Sequence, residues 1–270
     1  MLQLLLLIPL GFLVGTFGTL IGAGGGFILV PLLLLLYPDK SPETITSISL
    51  AVVFFNSLSG SYAYAKMKRI DYKSGVIFAI ATIPGSILGS FTTSYMPRQL
   101  FNGIFGALLI ILSVFLFIRP NNKNKDLGTM DNKSYWTRSF VDIEGITHTF
   151  SFNPVIGIVL SIFVGYFSSL FGIGGGIIHV PALVQLLNFP VHIATATSQF
   201  ILVVMSLSGS FVHLFTGVLS PGIYQTLSLS VGVIFGAQLG AKLSKYLKGS
   251  YIIRSLAFAL GLVGIKIFFM

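Results

Sequence analysis

A glycine-rich motif that occurs twice, 150 residues apart, constrains this chain more than any other feature. Gly15-Thr-Phe-Gly-Thr-Leu-Ile-Gly22-Ala-Gly24-Gly25-Gly26-Phe-Ile-Leu-Val-Pro31 aligns with Gly165-Tyr-Phe-Ser-Ser-Leu-Phe-Gly172-Ile-Gly174-Gly175-Gly176-Ile-Ile-His-Val-Pro181. The correspondence continues downstream, where Ser57-Leu-Ser-Gly-Ser61 returns as Ser206-Leu-Ser-Gly-Ser210 and Gly85-x-x-x-Gly89 as Gly236-x-x-x-Gly240. Matches that recur in register mark an internal duplication. The chain is read as two related units, 1–119 and 152–270, joined by a polar linker, 120–151.

The medium follows from charge. Only 9% of the residues are charged and 54% are hydrophobic, against about 25% charged in a soluble chain. The predicted fold is therefore all-α and polytopic, with lipid as the solvent. Each unit resolves into five apolar segments, near 2–21, 27–37, 43–65, 74–93 and 99–118, then near 153–171, 177–187, 192–215, 222–241 and 250–269. Met1–Gly15 carries no positive charge ahead of its apolar run, so it is expected to be the first membrane segment and not a cleaved signal. In each unit the second segment reaches only about 16 Å at 1.5 Å per residue and cannot cross a core of about 30 Å. Those two are expected to be broken or re-entrant helices.

Orientation follows from basic residues in short loops. The loop after the third segment holds Lys66, Lys68, Arg69 and Lys73, which places it in the cytoplasm. The equivalent loop of the second unit, 216–221, is uncharged, whereas the next one along holds Lys242, Lys245 and Lys248. The two units are thus expected to have inverted topology in a plasma (inner) membrane. The linker, nearly neutral and cytoplasmic in this reading, alternates through Phe140–Phe150 like a small hairpin turning at Glu144-Gly145. The net charge of +9 is scattered through loops, not gathered on one face, so no nucleic-acid partner is implied.

All seven carboxylates fall in loops or at segment ends, none mid-membrane, and there is no cysteine. That disfavours a cation or divalent-metal site, paired-carboxylate hydrolysis and thiol chemistry, and no cofactor or metal is expected. A small anion remains the compatible guest. The glycines Gly22, Gly24, Gly25 and Gly26, and Gly172, Gly174, Gly175 and Gly176, can turn main-chain N–H groups into a concavity at a helix start, where the helix dipole also favours negative charge. Close helix packing is the simpler alternative. Polar side chains at helical spacing on the third segments add neutral donors: Ser49, Asn56 and Ser57, then Thr197, Ser198, Gln199 and Ser206. Interhelical or back-bonding hydrogen bonds are their plainer role. His179 and His213 lie inside apolar segments and are candidates for a coupling proton or for structural hydrogen bonding. Gly85 and Gly89 read as ordinary helix contacts, where Gly85→Ala should be mild beside Gly175→Leu.

With these motifs laid out, the sequence resembles the sulfite exporter TauE/SafE family. The resemblance rests on Gly172-Ile-Gly-Gly-Gly-Ile-Ile-His-Val-Pro181, Ala194-Thr-Ala-Thr-Ser198, Ser208-Gly209, His213, Gly217 and Gly236-Ala-Gln-Leu-Gly-Ala241, and covers nearly the whole chain apart from the linker. Tyr64 stands where the second unit has His213. The resemblance implies a permease for small sulfur-containing anions such as sulfite or organosulfonates, not an enzyme. Its expected partners are the bilayer, the anion, a coupling proton or sodium ion if transport is inward, and further copies of itself. A transporter of a carboxylate or a cation, a scaffold without transport, and a membrane enzyme are the rival readings.

Overall fold

The protein is described here by a computed structural model covering residues 2–118, 135–143, 145–246 and 249–268. Lys248, Glu144 and the first part of the linker lie outside these residues. The described chain forms ten α-helices and one two-stranded sheet: α1 Leu2–Ile21, α2 Gly26–Leu36, α3 Pro42–Lys66, α4 Tyr72–Thr93, α5 Arg98–Ile118, β1 Trp136–Val141, β2 Thr147–Phe152, α6 Pro154–Phe171, α7 Gly176–Gln185, α8 Val191–Phe215, α9 Ile223–Leu243 and α10 Gly249–Phe268. Among the described residues seven helices are long and apolar enough to cross a bilayer: α1, α3, α4, α5, α6, α8 and α9. The helices α2 and α7, with 11 and 10 residues, are not.

Local chemistry sets the helix starts. Ser41 caps α3 by accepting from the Thr44 N–H, with Pro42 in the first turn. Asn153 does the same for α6 through the Val155 N–H, followed by Pro154. Gly22 and Gly172 end α1 and α6 in the left-handed region, at φ 80° and 68°. The next N–H groups, of Ala23 and Ile173, turn back to the Gly18 and Ser168 carbonyls. This closure strains any residue with a Cβ, so glycine terminates both helices.

Packing pairs the units. Helix α1 lies along α9 as α6 lies along α4, and α3 lies on α9 as α8 lies on α4. Glycines permit these approaches. On α9 a Cβ at Gly232, Gly236 or Gly240 would meet the Ile8, Phe12 or Thr16 carbonyl of α1, so the two helices run in the same direction. On α4 a Cβ at Gly85 or Gly89 would meet the Ile162 or Tyr166 carbonyl of α6 in the same way. Gly85 is therefore not a mild position: main chain, not a yielding side chain, fills the space beside it. The central pair, α3 and α8, crosses in opposite directions, with Gly209 beside Leu50 and Gly60 beside Gln199.

One face of the bundle gathers exposed Lys66, Lys68, Lys73, Lys242 and Lys245. The hairpin β1–β2 lies on this face, antiparallel, with Phe140 opposite His148 and Trp136 opposite Phe152. Phe150 and Phe152 turn inward onto Phe189, with ring centroids 4.3 and 5.1 Å apart.

Candidate functional site

The candidate site lies where the two helix breaks meet. After α1 ends, residues 22–25 reverse the chain and Gly25, at φ 84°, opens α2; after α6 ends, residues 172–175 do the same and Gly175, at φ 73°, opens α7. The two reversals touch. A Cβ at Gly26 would lie 2.7 Å from the Ile173 carbonyl carbon, and one at Gly176 would lie 2.6 Å from the Ala23 Cα. Only glycine on both sides allows main chain to press against main chain here.

Reciprocal hydrogen bonds hold the crossing. Ser49 of α3 donates to the Gly172 carbonyl at 2.6 Å, and Ser198 of α8 donates to the Gly22 carbonyl at 3.0 Å. Gln199 reaches the Gly18 carbonyl through Nε2 at 3.3 Å, leaving Oε1 without a partner. Thr19 donates to Asn56 Oδ1 at 3.2 Å, leaving Asn56 Nδ2 unpartnered. The Ser57 hydroxyl, also unpartnered, sits 3.6 Å from the position a Cβ would take at Gly24. On the other side the free Ser168 hydroxyl stands 2.9 Å from the corresponding position at Gly175.

Main-chain donors lie in the same two breaks. Among the described residues no carbonyl accepts from the N–H groups of Gly25, Gly26 and Phe27, or of Gly175 and Ile177. These belong to the first turns of α2 and α7, where helix geometry leaves N–H groups without internal partners. Every residue of both breaks is buried, as are Ser49, Asn56, Ser57, Ser198 and Gln199. Unpaired donors concentrated in a sealed interior are costly unless a guest takes them.

Not all the residues read from the sequence converge there. Asn56, Ser57 and Gln199 do, with free polar atoms; Ser49 and Ser198 do, but their hydroxyls are committed to carbonyls. Ser206 bonds back to the Leu202 carbonyl of its own helix at 2.5 Å. Thr197 lies toward the basic face, where its Oγ1 accepts from the Asp71 N–H at 3.0 Å. His179 pairs through Nε2 with Ser161 at 3.1 Å, and both ring nitrogens of buried His213 lack a partner. Thr19, Gly18 and Ser168 were not singled out in the sequence. The repeat carried a signal for them, since Gly18-Thr19 aligns with Ser168-Ser169 just ahead of each glycine cluster.

Comparison with known proteins places the chain among membrane transporters. A family described as "Sulfite exporter TauE/SafE" matches residues 7–267. The chain is similar to the "Probable membrane transporter protein YunE" of Bacillus subtilis, 36% identical with 98% of this chain and 97% of the relative covered. It is also similar to the "Probable membrane transporter protein MJ0441" of Methanocaldococcus jannaschii, 28% identical over 97% and 96%. No solved structure matches.

Proposed function

The chain belongs to the sulfite exporter TauE/SafE family and is a multi-pass membrane transporter, and from that premise we propose that it moves small sulfur-containing oxyanions, sulfite or organosulfonates, through the crossing of its two glycine breaks. The observation that carries the reading is the crossing itself: free main-chain N–H groups from two helix starts, with Asn56 Nδ2 and the Ser57 and Ser168 hydroxyls beside them. Tetrahedral and pyramidal oxyanions present several acceptor oxygens, which suit many neutral donors at once.

In this reading the two units are inverted relative to the plasma membrane and rock about the crossing to give alternating access. The antiparallel crossing of α3 and α8 supports the inversion, and the basic face is cytoplasmic by the charge rule. A cytoplasm negative by about 100 mV drives each anionic charge outward by about 2.3 kcal/mol, so export needs no coupling carboxylate. Inward transport would need a cation, with His179 and His213 the proton candidates.

The test is flux in proteoliposomes across sulfite, an organosulfonate, sulfate and a carboxylate. Sulfite or sulfonate flux exceeding the others is the expected result. Flux of a carboxylate or a cation alone would overturn the substrate assignment.

A further inference from the structure

The polar insert between the units includes the β1–β2 hairpin. Its hairpin is docked on the basic face by polar and aromatic contacts that reach three separate parts of the bundle. Arg138 of β1 pairs with Asp71 at the start of α4 at 2.8 Å, and the Asp71 side chain is fully buried. Asp71 also accepts from Ser74 at 2.5 Å and passes its N–H to Thr197 of α8. The Ile143 N–H donates to the Met67 carbonyl at the end of α3. Asn188, ahead of α8, reaches the Ser151 carbonyl, while Phe150 and Phe152 enclose Phe189 of the same loop. Phe152 also contacts Phe78 of α4.

These contacts straddle a seam. The α3 end and the α4 start belong to the first unit, whereas the α7–α8 loop and Thr197 belong to the second. On the opposite face the loops ahead of α3 and α9 meet, where Lys40 donates to the Pro221 carbonyl at 2.8 Å and Gly222 lies beside Ile48. Any rocking of one unit on the other that opens the basic face must stretch or release the hairpin.

We propose that the β1–β2 hairpin is a latch: docked, it ties α4 to the α7–α8 loop and closes the passage from the basic face to the glycine crossing, and undocked it lets that passage open. The proposal rests on the alternating-access reading but not on the identity of the substrate, so its test uses accessibility and not flux.

The chain has no cysteine, so no native thiol competes with an introduced one. Ser57→Cys places a probe at the crossing, labelled by a membrane-impermeant maleimide added on the hairpin side of oriented vesicles. Two variants loosen the latch: Arg138→Gln, and Phe150→Ser, which leaves the Asp71 pair intact if the first fails to fold. A third background adds Ser151→Cys and Asn188→Cys, oxidised to a disulfide that holds the hairpin down before labelling. Loosening is expected to speed labelling at least about tenfold, and the disulfide to slow it about tenfold, with recovery after reduction and removal of the reductant. Labelling rates unchanged by both loosening and cross-linking would overturn the latch. If the rates change while no tested anion is transported, the latch stands and the substrate assignment falls.

Discussion

Ser49 and Gly172 are joined by a 2.6 Å hydrogen bond from the serine hydroxyl to the glycine carbonyl. The bond links the central helix of one unit to the helix break of the other, and Ser198 repeats it on Gly22 with the units exchanged. Alanine at either serine strands a buried carbonyl, which costs about 1–3 kcal/mol. Thermal unfolding in detergent should show a lower Tm for Ser49→Ala and for Ser198→Ala, and a larger drop for the double variant. Ser208→Ala, which removes only a bond back to the Val204 carbonyl of its own helix, should move Tm little. A pair of single variants no different from Ser208→Ala would mean that these serines do not hold the crossing.

Steric fit at the crossing gives a second expectation. Gly176→Ala brings a methyl against the Gly22 carbonyl and Gly26→Ala brings one against Ile173, so each overpacks main chain at a cost of about 1–3 kcal/mol or more. Gly103, in α5, has nothing within 4 Å of a Cβ, and alanine there should stabilise by about 0.5–1 kcal/mol. Expression level and Tm across the three variants measure this. Equal behaviour of Gly176→Ala and Gly103→Ala would contradict the contact.

Most of the architecture was legible because lipid leaves so few options for a chain of this hydropathy. The segment near 43–65 was readable from its apolar run, and its start sharpened to Pro42 because Ser41 caps the helix and Pro42 fits the first turn. The repeat exposed the glycine clusters and equated Ser49 with Ser198 by position. It could not show that Ser49 is spent on Gly172, because an offset relates equivalent residues and not touching ones. Ser206 illustrates the limit in the other direction: its hydroxyl satisfies its own helix, a local choice that spacing alone cannot distinguish from a ligand. The docking of the hairpin was invisible for the same reason, since Arg138 and Asp71 are 67 residues apart and meet only once both units are folded.

The Arg138–Asp71 pair carries its own stability signature. Removing the arginine leaves a buried carboxylate without its cation, which costs about 3–5 kcal/mol for a fully buried pair, and the low end applies because the Arg138 side chain is 22% exposed. The double variant Asp71→Asn with Arg138→Gln should recover part of that loss. The hydrogen bond to Asp71 raises the guanidinium pKa above its ordinary value. A group with a raised folded pKa stabilises below its unfolded value and loses that contribution only as pH climbs through the folded one. The arginine's contribution should therefore be constant between about pH 7 and pH 10, so the Tm gap between wild type and Arg138→Gln should not narrow across that range.

Asn56 offers the sharpest distinction between an anion site and any other. Its Oδ1 accepts from Thr19 while Nδ2 remains free beside the glycine crossing. Asn56→Asp keeps shape, volume and the acceptor for Thr19, but exchanges the free donor for a second acceptor bearing negative charge. Two like charges about 4 Å apart repel by about 4 kcal/mol at an effective dielectric constant of about 20, which corresponds to about a thousandfold in affinity. Anion flux by Asn56→Asp should therefore fall close to background in proteoliposomes, while Asn56→Gln, which keeps an amide, should retain more. A monodisperse gel-filtration profile in detergent separates this loss from misfolding. Sulfite or sulfonate flux that survives the aspartate at the wild-type rate would place the anion elsewhere in the protein, and cation flux appearing in wild type would remove the charge argument altogether.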